Sequence, residues 1–365
     1  MYALVTHHYW NRPGGGELVC ASFAKVFEHL GFEPVLASTI KIDINITKYP
    51  EWFGIDLSKY PQIHLGIEPK AFGLYLRLLA NRAVVKAIRR YAPKVMYIDI
   101  PTYKYAVDTI KKYSVKLIEY IHFPLETWFR KGIEDLSPSR DPYIVERYGR
   151  FPMNIYFKIF VKLLPLVLRE NPFTIADLVL TNSKWTADLV KRIHGEEPYV
   201  LNPPLPPRTG LIENVAPFDA RDDVVVMVGR FSEEKRYHWV IRGVFPKLRK
   251  VFSGVKLIVF GATGTKTAKA YYSKLIELAR SLGFRVSTQL GVDVDIYLVE
   301  NASRDLINEV MDRAKVFLHA TINEHWGIAV AEAMARGLPI VVHRSGGTWS
   351  DLARVRSLRA RLHNK

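Results

Sequence analysis

A single cysteine, Cys20, stands in a chain of 365 residues. No internal disulfide framework is available, which suits a reducing compartment. Glutamine occurs only at Gln62 and Gln289, and with cysteine so scarce the composition leans towards that of heat-stable proteins. No run of about 18 uncharged apolar residues exists, so a membrane-spanning helix is not expected. The nearest approach, Phe151 to Leu168, is interrupted by Lys158, Lys162 and Pro165. The first residues, Met1 to His7, lack the charged, apolar and small-residue blocks of a secretory signal. The expectation is a cytoplasmic protein, attached to the membrane face at most peripherally. Acidic residues are also short, 36 against 52 Lys and Arg, leaving a net charge of +16. Such a surface attracts polyanions: nucleic acid, anionic lipid or nucleotide diphosphates.

Apolar content is high at 48%, and the length accommodates two domains. Short apolar runs alternate with helical periodicity, the pattern of α/β units on parallel sheets. The first half offers strands at Tyr2–His7, Pro34–Ser38, Val95–Ile100, Lys116–His122 and Asp177–Asn182. The second offers Val224–Val228, Lys256–Phe260, Val316–Ala320 and Pro339–His343. Between them, Asn202 to Arg208 is rich in proline, which fixes φ and cannot donate to a ladder. The expected organisation is a doubly wound domain over 1–202, a stiff linker over 203–220, and a second doubly wound domain over 221–365, the two facing a cleft.

The most informative stretch is Asn323 to Gly337, with Glu324 and Glu332 flanking a glycine turn that opens a helix. A strand precedes it, and another follows before Ser345-Gly346-Gly347. Ligands of such folds sit at the carboxyl ends of the strands. The first-turn N–H groups of Gly327, Ile328 and Ala329 would offer phosphate a donor set. Of Glu324, in the loop, and Glu332, near the first turn, one would then reach a sugar hydroxyl on one side of a diphosphate and the other a ribose on the other side. Arg230 and Lys235, after the first strand of the second half, would neutralise a leaving diphosphate. Gly14-Gly15-Gly16 follows the first strand of the chain, and a helix is expected from about Leu18. Backbone can approach a ligand closely there, though neither dinucleotide spacing nor a P-loop is present. His122 ends a strand, where it can bond a sugar hydroxyl or steady developing charge. Asp99 also follows a strand, where an acceptor contact and a turn cap are equally open readings. Asp293-Val294-Asp295 has the spacing of a metal pair, but it lies in an alternating stretch whose acids are expected to face solvent. No metal-ligand spacing is convincing elsewhere.

The string Glu-x7-Glu with its glycine and its downstream Ser-Gly-Gly resembles the signature of family 4 retaining glycosyltransferases of the GT-B fold. Four further islands agree: His8 to Glu17, Tyr120 to Pro124, Thr181 to Thr186, and Gly229 to Phe231 with Lys235 and His238. Together they resemble the GDP-mannose-dependent α-1,2-mannosyltransferases of lipid-linked oligosaccharide assembly, over about residues 1 to 350. The resemblance implies a nucleotide-sugar donor held mainly by the second domain, retention at the anomeric carbon and no essential metal or cofactor. It implies Glu324 and His122 at the transferred sugar and Glu332 at the ribose. It also implies Arg230 and Lys235 at the diphosphate, with Gly15, Gly16, Gly327 and Ile328 lining the donor.

Two features depart from that family. Its eukaryotic members carry an N-terminal membrane helix, and its second domain continues well past Ser-Gly-Gly. Thr348 to Lys365 is arginine-rich, with Leu352, Val355, Leu358 and Leu362 at helical steps. The expectation is an amphipathic tail that leaves the second domain incomplete at its C-terminus. Peripheral contact with an anionic membrane is expected through Ala80 to Tyr91, where Arg82, Lys86, Arg89 and Arg90 oppose an apolar arc, and through Phe151 to Leu168. Two other readings stand beside a mannosyltransferase acting on a lipid-linked or other glycan. One is a UDP-sugar-dependent transferase with a soluble acceptor. The other is a catalytically inert polyanion-binding protein; nucleic acid is not favoured, because no RNA-binding motif or stacking platform is evident.

Overall fold

The computed structural model describes residues 1–68, 73–130, 132–133, 136–212 and 214–353. The chain forms two compact units: Met1–Arg140 with Arg147–Arg208, and Asp141–Glu146 with the chain from Thr209 onward. Each unit is a parallel α/β sheet, as the alternating apolar and helical runs imply.

The first sheet has seven strands: β1 (Tyr2–Thr6), β2 (Glu33–Ile40), β3 (Gln62–Ile67), β4 (Val95–Ile98), β5 (Lys116–Ile121), β6 (Leu178–Thr181) and β7 (Tyr199–Val200). Their order is β3-β2-β1-β4-β5-β6-β7. Every pairing is parallel. The order runs outward from β1 and β4 in opposite directions, which makes that pair the switch point of the sheet. Leu4, Val35, Ile63, Met96 and Leu117 pack against Ala83, Val84, Ala87 and Ile88 of the helix Ala80–Tyr91. The apolar arc of that helix is therefore core, and only its basic arc meets solvent. This corrects one of the two expected membrane contacts.

The second sheet holds β8 (Asp222–Val228), β9 (Lys256–Gly261), β10 (Val286–Ser287), β11 (Ile296–Glu300), β12 (Ala314–His319) and β13 (Ile340–Val342), in the order β10-β11-β9-β8-β12-β13. Its switch point lies between β8 and β12. Two apolar clusters build the core of this unit, one around Phe231, Phe245 and Leu257, the other around Phe317, Trp326 and Val330.

Four strands escaped the sequence pattern: β3, β7, β10 and β11. Two of them are only two residues long, too short for any periodicity. β11 lies just past Asp293 and Asp295. Asp295 does not face solvent: it is buried, bonds the guanidinium of Arg249 at 2.9 Å and accepts the Arg285 N–H at 2.8 Å. Asp293 is exposed and pairs with Lys256 at 2.7 Å. The connector is also shorter than expected. Arg208 ends the first unit, and Thr209 already bonds Glu332 inside the second at 3.3 Å. The tail from Arg354 to Lys365 lies outside the described residues, and with it most of the expected amphipathic pattern. Leu352 is buried in the second core.

Candidate active site

Each switch point carries a polar cluster that is at least partly buried, and each belongs to one unit. In the second unit, β8 ends at Val228 and the chain turns through Gly229 and Arg230. A Cβ on Gly229 would stand 2.9 Å from the Tyr237 hydroxyl, and one on Gly261 would stand 2.6 Å from the Gly229 carbonyl. Only glycine permits that approach, which brings the loop back to Lys235. Lys235 Nζ lies 2.5 Å from Glu324 Oε2, and His319 Nε2, at the end of β12, lies 2.9 Å from the same oxygen.

Burial by itself raises the Glu324 pKa, but Lys235 and His319 outweigh it and hold the carboxyl well below its ordinary range. His319 moves down, because burial exceeds the pull of Glu324. The site is thus a half-buried carboxylate with a lysine cation and a buried imidazole on one oxygen.

Ser345-Gly346-Gly347 cradles this acid from behind. Gly347 N–H donates to the Glu324 carbonyl at 2.7 Å, and the Ser345 hydroxyl accepts the Asn323 N–H at 2.8 Å. Gly346 has φ +72°, and a Cβ there would fall 2.2 Å from the Glu324 carbonyl oxygen. Gly327 caps the helix Ile328–Ala335 at φ 88°. It places its own N–H and that of Ile328 at the positive end of the helix.

Two expected site residues sit differently. Glu332 lies in the second turn of its helix, 3% exposed, with Arg304 at 3.1 Å and the Thr209 hydroxyl at 3.3 Å. Burial raises its pKa despite Arg304 and Thr209. A ribose would have to compete with those partners. Arg230 projects into solvent and touches Glu234 at 3.3 Å. His319, Arg304 and Thr209 were not singled out from sequence; the position of His319 at a strand end was the one available signal.

In the first unit, the helix Gly15–His29 starts three residues earlier than expected, so Gly15 and Gly16 form its first turn. His7 follows β1, Asp99 follows β4 and His122 follows β5. His7 Nδ1 lies 2.5 Å from Asp99 Oδ2, and His122 Nε2 lies 3.6 Å from the same oxygen. Glu17 stands 3.5 Å from the other nitrogen of His7, and Cys20 Sγ 3.7 Å from Nδ1. Burial opposes charge on His7, yet Asp99 and then Cys20 raise its pKa well above the ordinary value. Asp99 is lowered, with His7 and His122 overcoming its burial. His7 and Asp99 are therefore an ion pair. His7, Cys20 and Asp99 also present three donor atoms within 4.8 Å of one another, of the kind that hold metals. Spacing along the chain concealed this group, because three separate elements deliver it.

Residues 211–351 match the family model described as "Glycosyl transferases group 1". That range contains the whole Lys235–Glu324–His319 cluster and its Ser-Gly-Gly cradle. The second unit is a group 1 glycosyltransferase domain. The chain is also similar to a curated Candida glabrata protein, a GDP-Man:Man(3)GlcNAc(2)-PP-Dol alpha-1,2-mannosyltransferase. Identity is 25% over 379 residues, covering 95% of this chain and 69% of that protein. Human and mouse proteins of the same name are 24% and 25% identical; the chain spans 73% of itself and 54% of each in those matches.

Two solved structures share the fold: a glycosyltransferase from Rickettsia africae and a sucrose-phosphate synthase from Thermosynechococcus elongatus. Both have TM-score 0.59 and cover 95% of this chain, with 80% and 82% of their own, at 14% and 15% identity. The glycosyltransferase domain and the first unit together are GT-B in fold class.

Proposed function

We propose that this protein is a retaining transferase that moves mannose from GDP-mannose onto a lipid-linked glycan. The observation that carries the proposal is the ionised Glu324, held by Lys235 and His319 at the switch point of the glycosyltransferase domain. The names of the curated relatives supply the donor and the acceptor class. In this scheme Arg230 and Lys235 meet the diphosphate, on which negative charge grows as the glycosidic bond breaks. The N–H groups of Gly327 and Ile328 add fixed positive potential. Glu324 orients the sugar, and Glu332 reaches the ribose by exchanging Arg304 or Thr209 for a hydroxyl. In the first unit, His122, Gly15 and Gly16 are assigned to sugar binding. The bond from C1 to the diphosphate oxygen breaks, the bond from C1 to the acceptor oxygen forms on the same face, and the acceptor proton passes to the departing phosphate.

Charge neutralisation is assigned to side chains and helix end, so transfer is expected to persist in EDTA. Calorimetry with GDP and UDP, followed by transfer from labelled GDP-mannose to a lipid-linked acceptor, tests the reading. Preferential UDP binding would favour the UDP-sugar transferase with a soluble acceptor. Binding of neither nucleotide would leave only the inert polyanion-binding reading.

The reading includes peripheral contact with the cytoplasmic membrane face, and the helix Met153–Val167 supports the membrane contact itself. Phe157, Phe160 and Leu164 anchor it, while Ile155, Ile159 and Leu166 are exposed beside Lys158 and Lys162. Among the described residues no helix is long and apolar enough to cross a membrane.

A further inference from the structure

We infer that Asp99 is a positioning residue: its carboxylate fixes the ring of His122 with Nε2–H turned inward, so that Nδ1 is offered to a sugar hydroxyl as an acceptor. The inference rests on the transferase reading above and adds a residue and a tautomer to it.

The geometry comes from the sheet. β1 and β4 are the pair at which the strand order reverses, so the residues that follow them meet at one point. His7 and Asp99 do so at 2.5 Å, and β5, the next strand, delivers His122 to the same Asp99 oxygen at 3.6 Å. The His122 backbone is held there, its carbonyl accepting from Asn182 Nδ2 at 2.9 Å. Its Nε2 is buried and unpartnered, while 28% of its side chain remains exposed. Asp99 Oδ1 is likewise buried without a partner. Among the described residues the polar contact recorded for that nitrogen is Asp99 Oδ2, and 3.6 Å is one short adjustment from a hydrogen bond. Contacts of this kind tighten when substrate fills a site.

His7 has a separate part. It meets the same Asp99 oxygen as a cation, steadied through its far nitrogen by Glu17 at 3.5 Å. This keeps Asp99 ionised and therefore acceptor-only. A carboxylate in that place selects Nε2 as the donor nitrogen of His122 and leaves Nδ1 as the acceptor, because in one tautomer one imidazole nitrogen donates and the other accepts. Gly16 closes the site: a Cβ there would lie 3.7 Å from Asp99 Oδ2 and 3.8 Å from His122 Nε2, and a longer side chain would part them.

The test is nitrogen NMR of the full chain at pH 8 with labelled histidine, together with steady-state kinetics of Asp99→Asn. In the wild type, His122 is expected as the Nε2–H tautomer. In Asp99→Asn, whose amide can donate where the carboxylate only accepts, the signal is expected to move towards Nδ1–H. The kcat should then fall at least tenfold, with KM for GDP-mannose nearly unchanged. GDP binding in the second unit controls for a folded variant. Finding wild-type His122 as Nδ1–H overturns the inference even if Asp99→Asn does not fold, and an unshifted tautomer with wild-type kcat in the variant overturns it equally. Absence of any sugar transfer by the wild type would instead defeat the transferase reading, while the tautomer remains measurable on its own.

Discussion

Glu324 concentrates the chemistry of the second unit because one oxygen serves two partners. Lys235→Ala removes a charge-assisted contact of about 1.5–3 kcal/mol, so GDP affinity should fall about 10- to 150-fold, measured by calorimetry. Arg230→Ala should weaken binding with little change in melting temperature, since its side chain is exposed and its one ion pair is a surface contact. The sign of the pH effect follows from the depressed Glu324 carboxyl. Its stabilising contribution is complete above about pH 4.3 and is lost as pH falls towards the folded-state pKa. In Lys235→Ala that loss should begin at higher pH, visible as an earlier acid transition by circular dichroism. Gly346→Ala is a different kind of lesion. A methyl group 2.2 Å from the Glu324 carbonyl oxygen, at φ +72°, must displace the cradle. A cost above about 3 kcal/mol is expected, together with loss of GDP binding; a stable variant that still binds would refute the cradle.

Elements place these residues through a few buried polar joints. In the first unit, Arg169, just past the helix Met153–Val167, bonds Glu119 on β5 and Glu126 in the turn that follows. Burial raises the Glu126 carboxyl, but His194 and Arg169 bring it down to about 2. The turn that carries Glu126 begins directly after His122 and Pro124, so this joint sets the start of the loop beyond β5. Arg169→Ala leaves two buried carboxylates without their cation, and urea titration should show a loss of about 3–5 kcal/mol. The wild-type joint is lost only as pH falls from about 4.3 towards 2, because a depressed acid stabilises above its ordinary pKa. A loss below about 1 kcal/mol on urea titration would mean that the joint is not structural.

On the scale of the whole molecule, charge and exposed apolar residues act together. With +16 overall and Lys158 and Lys162 beside Ile155, Ile159 and Leu166, the chain should sediment with anionic vesicles and much less with neutral ones. Each basic residue near such a surface contributes about 1 kcal/mol, screened by salt. Ile155→Ser with Ile159→Ser should reduce vesicle binding while leaving GDP affinity intact, since those side chains are exposed and lie in the first unit. Equal sedimentation with both lipids at low salt would exclude the docking face. The helix Ala80–Tyr91 should play no part, because its apolar arc is already spent in the core.

Local sequence determined a good deal by itself. Alternating apolar runs marked nine of the thirteen strands and the two-unit plan, because buried parallel strands need near-continuous hydrophobic stretches. Glycines at Gly327 and Gly346 were readable for the same local reason: φ beyond the reach of other side chains. Spacing around Glu324 was enough to mark the strand, glycine turn and helix that surround it, since those elements are contiguous. Partnership was not readable, because it joins residues far apart along the chain. The approach of Asp99 to both His7 and His122, the hold of Arg304 on Glu332, and the burial of Asp295 depend on strand order and on which side chains share a low-dielectric interior. Only the tertiary structure decides those, and they in turn decide which acids are charged and which are free to meet a ligand.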